Sequence, residues 1–382
     1  DQALSEYALK FDKAELTPDQ FRVTEEEIAA AGKQISSTAR KALKEALKSI
    51  QSFARKQKPR DYHYTARRGV MLGEQFSPMD RVGVYIPGGT APLVSTVIHT
   101  AGIASAAGVR EIVAVTPPGT HPAVLYAMRL AGVTEIYRLG GVYGIAALAF
   151  GTESIRPVEK IVGPGNAYVT AAKKLVFGKV AIDMVAGPSE IMVIADRTAP
   201  AEFIAADFLS QAEHGSGLEQ SVLVTDSDEV LDAVEKEVMK QKASLPRIAT
   251  VDRVLEKGAF LIRVKDMAEA AQIANSYAPE HLEIMTEFPE KVARNIRAAG
   301  AIFLGPWTPE PAGDFCAGPS HVLPTAGSAK FFRGLGVDSF FRRSSIVRYS
   351  EDAIRREAWI IEEFAAMEGL AAHGRSGTIR RK

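Results

Sequence analysis

Gln211 and His214 stand three residues apart in the run Ser-Gln-Ala-Glu-His-Gly, Ser210 to Gly215. On a helix that spacing sets both side chains on one face, where two donors can share one metal ion. Three further clusters carry the same kind of chemistry: Glu280 and His281 after Pro279, Asp314 and His321 in a Gly/Pro-rich stretch, and Glu368 and His373 near the end. Each joins an imidazole to a carboxylate or amide within a few residues. That is material for binding a borderline metal and for moving protons near neutral pH. The clusters lie far apart in sequence, so the fold must assemble them, within one chain or across two.

Each cluster also has a purely structural reading. Gln211 and His214 fit a helix C-terminus, where His favours the dipole and Gly215 stops the helix. Glu280 and His281, adjacent at the start of a strand, fit a polar strand edge, although at a strand end both reach one pocket. Asp314 and His321 fit a turn Asp and a surface His in an irregular loop. Glu368 and His373, five apart on one final helix, fit a solvated helix end. Cys316 invites a thiohemiacetal reading, but a lone cysteine reads better as a small buried hydrophobe.

A nucleotide signal is indirect. No clean G-x-G-x-x-G occurs, but Tyr85-Ile-Pro-Gly-Gly89 and Gly163-Pro-Gly-Asn166 each fall between a strand and a helix. Glycines there let phosphates approach backbone N–H groups at a helix N-terminus, and such turns also occur for structural reasons alone.

These residues need elements to position them. Residues 1–60 read as helices, most clearly from Ala42 onward. From Arg81, apolar runs ending in Gly/Pro turns alternate with Ala-rich helices: RVGVYIPGG, EIVAVTPPG, EIYRLGG and KIVGPGN, with helices over Ala91–Ala107, Pro122–Ala131 and Ala167–Phe177. Strand-turn-helix units of this kind argue for a parallel, doubly wound sheet. VAIDMV and EIMVIAD add strands. A second α/β stretch follows, with Pro200 opening a helix toward Gln211, strands SVLVTD, HLEIMT and AGAIFLG, and helices over Ser227–Lys242 and Pro289–Ala298. From Ser350 helical spacing runs to about Ala372, and GRSGTIRRK reads as a loose basic tail.

Composition bounds the function. The 382 residues are enough for two or three domains. Lys+Arg and Asp+Glu are both 46, so net charge gives no sign of a nucleic-acid partner. A single cysteine excludes a disulfide framework within one chain and fits a reducing compartment. No apolar run is long enough to span a membrane, and the charged opening has no signal-peptide core. The chain lacks a starting Met and reads as beginning inside a longer product.

Taken together, the segments VGVYIPGGTAPL, GIAALAFGTES, KIVGPGNAYV, AIDMVAGPSE, LSQAEHG, PEHLEI and PEPAGDFCAGPSHVLPT closely resemble the histidinol dehydrogenase family, zinc enzymes of the last steps of histidine biosynthesis. The resemblance runs from Asp1 to about His373. It implies an α/β fold with two Rossmann-like doubly wound domains, distantly like aldehyde dehydrogenases, with helical N- and C-terminal segments in an intertwined homodimer. It divides the chain into 1–84 with 194–335 carrying most of the catalytic site, 85–193 binding NAD, and 336–382 reaching the partner subunit. It puts one Zn2+ per subunit on Gln211, His214, Asp314 and His373. Glu280 and His281 become the catalytic pair. Ser189, Glu310, His321 and Glu368 contact the substrate, together with the metal ligands and His281. Tyr85 and Asn166 contact NAD, and so does position 143, usually Gln in this family but Tyr143 here. Glu368 and His373 come from the partner, giving shared active sites. The implied reaction is the cytoplasmic four-electron oxidation of L-histidinol to L-histidine through L-histidinal. Three rivals are a paralogue oxidising another small alcohol such as a sulfonated diol, disfavoured by Glu310 and Glu368, a zinc hydrolase using Glu280 as base, and a non-catalytic binding protein on the same scaffold, disfavoured by the intact ligand and acid/base positions.

Overall fold

The structure is a computed structural model that describes residues 1–88 and 92–381. Gly89, the second glycine of the first predicted turn, and Ala91, the first residue of a predicted helix, lie outside the described residues. Thirteen strands are present among those described: β1 (Tyr62–Arg67), β2 (Val70–Pro78), β3 (Arg81–Tyr85), β4 (Glu111–Val115), β5 (Glu135–Tyr137), β6 (Lys160–Val162), β7 (Ala181–Ile182), β8 (Glu190–Ala195), β9 (Gln220–Thr225), β10 (Ala259–Arg263), β11 (His281–Met285), β12 (Ala301–Leu304) and β13 (Phe341–Tyr349). They form three sheets in two compact units, one of Asp1–Gln57 with Asp80–Phe340 and one of Lys58–Met79 with Phe341–Lys382.

The larger unit holds two five-stranded sheets, ordered β5-β4-β3-β6-β7 and β10-β9-β8-β11-β12. Every pairing within them is parallel. Both orders start at a central strand, run outward on one side, then cross to the other. Each sheet therefore has a topological switch point, at β3/β6 and at β8/β11, where α/β sheets open a crevice. The central strands β3, β8 and β11 are buried along their whole length, as expected when helices cover both faces. Val113, Leu148 and Ile161 pack one face of the first sheet; Ile191, Phe208 and Leu223 on one side and Met192, Leu282 and Ile284 on the other sandwich the second.

Helices arise where the sequence caps them. Ser36 accepts from the Ala39 N–H and opens Ser37–Lys56, whose inner face buries Leu47, Ile50 and Ala54. Thr24 and Glu27 form a reciprocal capping box ahead of Glu25–Lys33. The chain before that helix extends the first sheet: the Val23 N–H donates to the Ile136 carbonyl at 2.8 Å, the Arg138 N–H to that of Phe21 at 2.8 Å, and Phe21 is fully buried.

In the smaller unit β2 lies between β1 and β13 and pairs antiparallel with both. The Arg67 guanidinium is held by the Glu357 carboxylate, and the Ser350 N–H donates to the Gly69 carbonyl. Two helices follow, Glu351–Glu368 and Ala371–Thr378.

Several expectations need correcting. Gly369 adopts a left-handed conformation that ends one helix, so Glu368 and His373 lie on two helices rather than one. The expected loose tail is helical through Thr378, with a 3-10 turn after it. Asp314 sits in a helical turn, Gly313–Ala317, not in irregular loop. Cys316 is exposed rather than buried. No described helix is long and apolar enough to cross a membrane.

Candidate active site

The chemistry of the second sheet sits at the amino ends of its switch-point strands. The chain arrives there through Ala278, a non-glycine residue at φ 56°, which turns it out of the helix Met267–Tyr277 and into β11. A left-handed alanine stores strain, which the surrounding packing must hold. Two residues later Glu280 and His281 are both buried.

His281 is fixed by its ring nitrogens. Nδ1 lies 3.1 Å from the Glu190 carbonyl oxygen, which can only accept, so Nδ1 carries the proton in that contact. Nε2 then carries the lone pair of the neutral ring. It has no hydrogen-bond partner and faces Glu310 Oε1 at 3.5 Å and Asp314 Oδ1 at 3.6 Å. Glu280 Oε2 accepts from the Glu190 N–H at 3.0 Å and lies 3.7 Å from His281 Nδ1. The start of β8 therefore positions both members of the pair. Glu190 is itself tied down, its Oε1 accepting from the Ala326 N–H.

Burial and charge oppose each other here. Burial pushes the Glu280 carboxyl up to about 7, against the pull of His281. It pushes Glu310 up to about 8, with the Asp314 charge adding to it. Burial disfavours the His281 imidazolium, but the carboxylates of Glu280, Asp314 and Glu310 more than reverse this and raise it to about 10. Burial also opposes ionisation of Asp314, yet the close approach of the His281 ring and the charges of His321 and His281 hold it well below the usual carboxylate range.

Glu310 opens a short helical turn, and its N–H donates to Glu283 Oε1 at 2.8 Å. The Ser210 hydroxyl reaches Glu310 Oε2 at 3.2 Å. Gln211, in the last turn of the helix Ala201–Ala212, is fully buried with both amide atoms unpartnered. His214 lies just past that helix, before Gly215 at φ 112°. The residue is exposed, yet its ring is crowded enough that desolvation lowers its pKa. Ser189 is half-buried directly before β8, its carbonyl accepting from the Gln220 N–H. His281, Asp314 and His321 line one cavity of about 640 Å3, walled by Phe53, Ile103 and Phe303. The ligand atoms of His281, Glu310 and Asp314 lie within 4.8 Å of one another, a set able to hold a metal ion. Glu368 and His373 belong to the smaller unit, where both are exposed.

Unpartnered buried polar atoms concentrate here: both ends of Gln211, Glu190 Oε2, Glu310 Oε1, Asp314 Oδ1, and Nε2 of His281 and His321. Such groups are costly unless a ligand satisfies them. Three contributors escaped the sequence reading. Glu190 and Glu283 are carboxylates inside buried strands, where an acid among apolar residues is the available signal. His99, fully buried in the apolar helix Val94–Ala107, accepts from the His321 N–H through Nδ1 and packs at a tilt against the His321 ring with centroids 4.4 Å apart.

A second cavity, of about 730 Å3, opens at the carboxyl ends of the first sheet. Tyr85, the last residue of β3, Tyr143 and Asn166 all line it. The Tyr85 hydroxyl oxygen accepts from the Gly141 N–H at 3.1 Å, where the helix Gly141–Phe150 begins. Asn166 caps the helix Ala167–Val176 by accepting from the Tyr168 and Val169 N–H groups. The turn before it is locked: the buried Lys173 ammonium holds both the Gly163 carbonyl and Asp183, and Asp183 accepts from the Gly163 N–H.

Two five-stranded parallel sheets, each with a switch point, form an architecture shared with aldehyde dehydrogenases. An acetylating aldehyde dehydrogenase from Geobacillus thermoglucosidasius superposes with a TM-score of 0.54 over 91% of this chain and 94% of its own, at 16% identity, which shows the fold alone. Nearer relatives are more specific. The sequence model of histidinol dehydrogenase matches residues 1–381. The histidinol dehydrogenases of Rhizobium meliloti and Bacillus cereus (strain ATCC 14579) are 49% and 46% identical over 100% of this chain and 88% and 89% of theirs. The crystal structure of histidinol dehydrogenase from Elizabethkingia anophelis has a TM-score of 0.96 at 40% identity, covering 100% of this chain and 88% of its own. The chain belongs to the histidinol dehydrogenase family.

Proposed function

We propose that the chain oxidises L-histidinol to L-histidine through L-histidinal, passing one hydride to each of two NAD+, in the last steps of histidine biosynthesis. The observation that carries this reading is the pinning of His281 Nδ1 on the Glu190 carbonyl, which leaves Nε2 without a partner beside the cavity shared with Asp314 and His321. His281 Nε2 takes the hydroxyl proton as the first hydride leaves the carbinol carbon for the nicotinamide. Glu280, poised near 7, then takes a proton from the water that adds to the aldehyde, and a second hydride leaves. A buried site keeps the aldehyde from side reactions. Ser189, Glu310, His321 and Glu368 are the substrate contacts. Glu310, pushed toward neutrality by burial, regains its charge when a cationic nitrogen arrives beside it. That cation also reduces the carboxylate pull on His281 and returns its ring toward the neutral, basic form.

Gln211, His214, Asp314 and His373 would hold one Zn2+ per subunit, with Glu368 and His373 supplied by the second copy of a homodimer. The donor types fit: amide oxygen, imidazole and carboxylate, with the Gln211 amide and Asp314 Oδ1 buried and unsatisfied. When bound, the ion supplies a Lewis acid that anchors the imidazole and amino nitrogens of the substrate. Tyr85, Tyr143 and Asn166, which line the second cavity, would hold NAD, and the N-termini of the helices that begin at Gly141 and Ala167 would offer it N–H donors suited to phosphate.

His281→Asn tests the base against the competing possibility that His281 is a ligand. The base role predicts full zinc content with alcohol oxidation slowed by about 10²–10⁴-fold. Loss of zinc in that variant would reassign the ring to the metal.

A further inference from the structure

The cavity at the carboxyl ends of the first sheet has one wall that comes from far away in sequence. Tyr7, Phe11 and Asp12, from the N-terminal segment, line it together with Tyr85, Tyr143 and Asn166. The segment is anchored from beneath, because Leu4 and Ala8 are buried in the core of the first sheet. Asp12 ends the helical turn Ala8–Asp12, and the Tyr143 hydroxyl donates to its Oδ2. Tyr143 is buried at the start of the helix Gly141–Phe150, so its hydroxyl has a fixed origin.

Among the described residues, Asp12 is the only one lining this cavity with a carboxylate or a basic side chain; the others are Tyr, Phe, Pro, Gly, Val and Asn. Two ammonium groups of the segment lie outside the lining: that of Lys10 sits over the Tyr7 and Phe11 rings at 5.8 and 5.3 Å, and that of Lys13 donates to the Lys10 carbonyl at 3.0 Å. Tyr143 occupies one oxygen of Asp12, and among the described residues no other hydrogen bond reaches the carboxylate. A carboxylate with a free oxygen at the carboxyl end of a parallel sheet matches a ribose diol, whose hydroxyls donate to it. The same carboxylate, with no lining Lys or Arg, opposes a dianionic phosphate ester on that diol.

We propose that Asp12 binds the ribose hydroxyls of the nucleotide and selects a cofactor with a free diol over its 2′-phosphorylated form, and that Tyr143 is the positioning residue that aims it. This rests on the reading of the cavity as the NAD site. Selectivity is then set by a segment lying outside the strands and helices of the nucleotide-binding sheet.

Asp12→Asn removes the charge but keeps an oxygen able to accept from Tyr143. The assay is steady-state NADH or NADPH formation by the zinc-loaded enzyme with histidinol. The expected result is a fall of tenfold or more, roughly 1.4 kcal/mol or above, in the ratio of kcat/KM for NAD to kcat/KM for NADP, with the KM for histidinol within about twofold of the parent. Tyr143→Phe should move the ratio the same way by a smaller factor, since the carboxylate remains but is no longer held. An unchanged ratio in Asp12→Asn overturns the proposal. Val142→Arg separates the two layers of the argument, because Val142 is exposed on the lining and tolerates a larger side chain. If Val142→Arg leaves NADH binding intact, measured by its fluorescence, the cavity is not the cofactor site and both readings fall. If it blocks binding while Asp12→Asn keeps the parent ratio, only the assignment of Asp12 falls.

Discussion

Replacing Glu280 by Gln separates the two oxidations. The Gln amide oxygen can still accept the Glu190 N–H that Glu280 Oε2 accepts at 3.0 Å, so the local frame survives and the stability cost is about 1 kcal/mol. What is lost is a carboxylate able to take a proton from water. General-base catalysis contributes about 10²–10⁴-fold, so the aldehyde step should slow by that factor, about 2.7–5.4 kcal/mol of barrier. The alcohol step loses only an electrostatic neighbour. Glu280 Oε2 lies 3.7 Å from His281 Nδ1 and raises the imidazole, so its removal lowers that pKa. The acidic limb of alcohol oxidation should therefore move to lower pH, while its plateau changes by less than about tenfold. The assay compares NADH release from L-histidinol with release from L-histidinal across pH. Equal slowing of both half-reactions, or an acidic limb displaced upward, would refute the division of labour between Glu280 and His281.

Other perturbations reach further parts of the molecule. Gly163→Ala places a Cβ 2.4 Å from the Tyr85 carbonyl oxygen at φ +115°, so the KM for NAD should rise about tenfold or more while that for histidinol stays put; an unchanged KM for NAD would separate this turn from cofactor binding. Chelation should abolish turnover and weaken histidinol binding by calorimetry, both restored by Zn2+, and undiminished binding to metal-free protein would remove the anchoring role. Glu135, bonded to the buried Arg81, is held at about 2, below its unfolded value; its stabilisation is present above about pH 4.5 and lost as pH falls through about 2. Glu135→Gln should cost about 2–3 kcal/mol at pH 7 and flatten the acid limb of urea stability; parallel curves for parent and variant would contradict that.

Much of the architecture was legible because β3, β4, β8 and β11 are short apolar runs punctuated by Gly/Pro turns and Ala-rich helices. β1 and β13 escaped notice because nearly all their residues are exposed, so burial imposes no alternation on them, and β10, although mostly apolar in type, is an edge strand with no buried residue and shows no alternation. The identical strand order of the two large sheets leaves no trace in residue types. In the site, Glu280 and His281 stood out as a polar pair at a strand end, and Asp314 as an acid in a Gly/Pro-rich stretch, although that stretch is a helical turn. Glu190 did not, because the backbone N–H and C=O that fix the pair belong to every residue and carry no sequence signature. Cys316 misled for a related reason: a small side chain says nothing about which way a helical turn points it.

The smaller unit is discontinuous, and that has a consequence for synthesis. Its first part, Lys58–Met79, leaves the ribosome early, while β13, which pairs with β2 along nine residues, is made near the end. At about 5–20 residues per second, β2 waits with one edge bare for roughly 13–52 seconds. Open edges recruit other strands. A nascent or truncated chain that ends before Phe341 is therefore a natural client for chaperones that mask β-edges, and the last strand to be translated is the one that makes the protein safe to release.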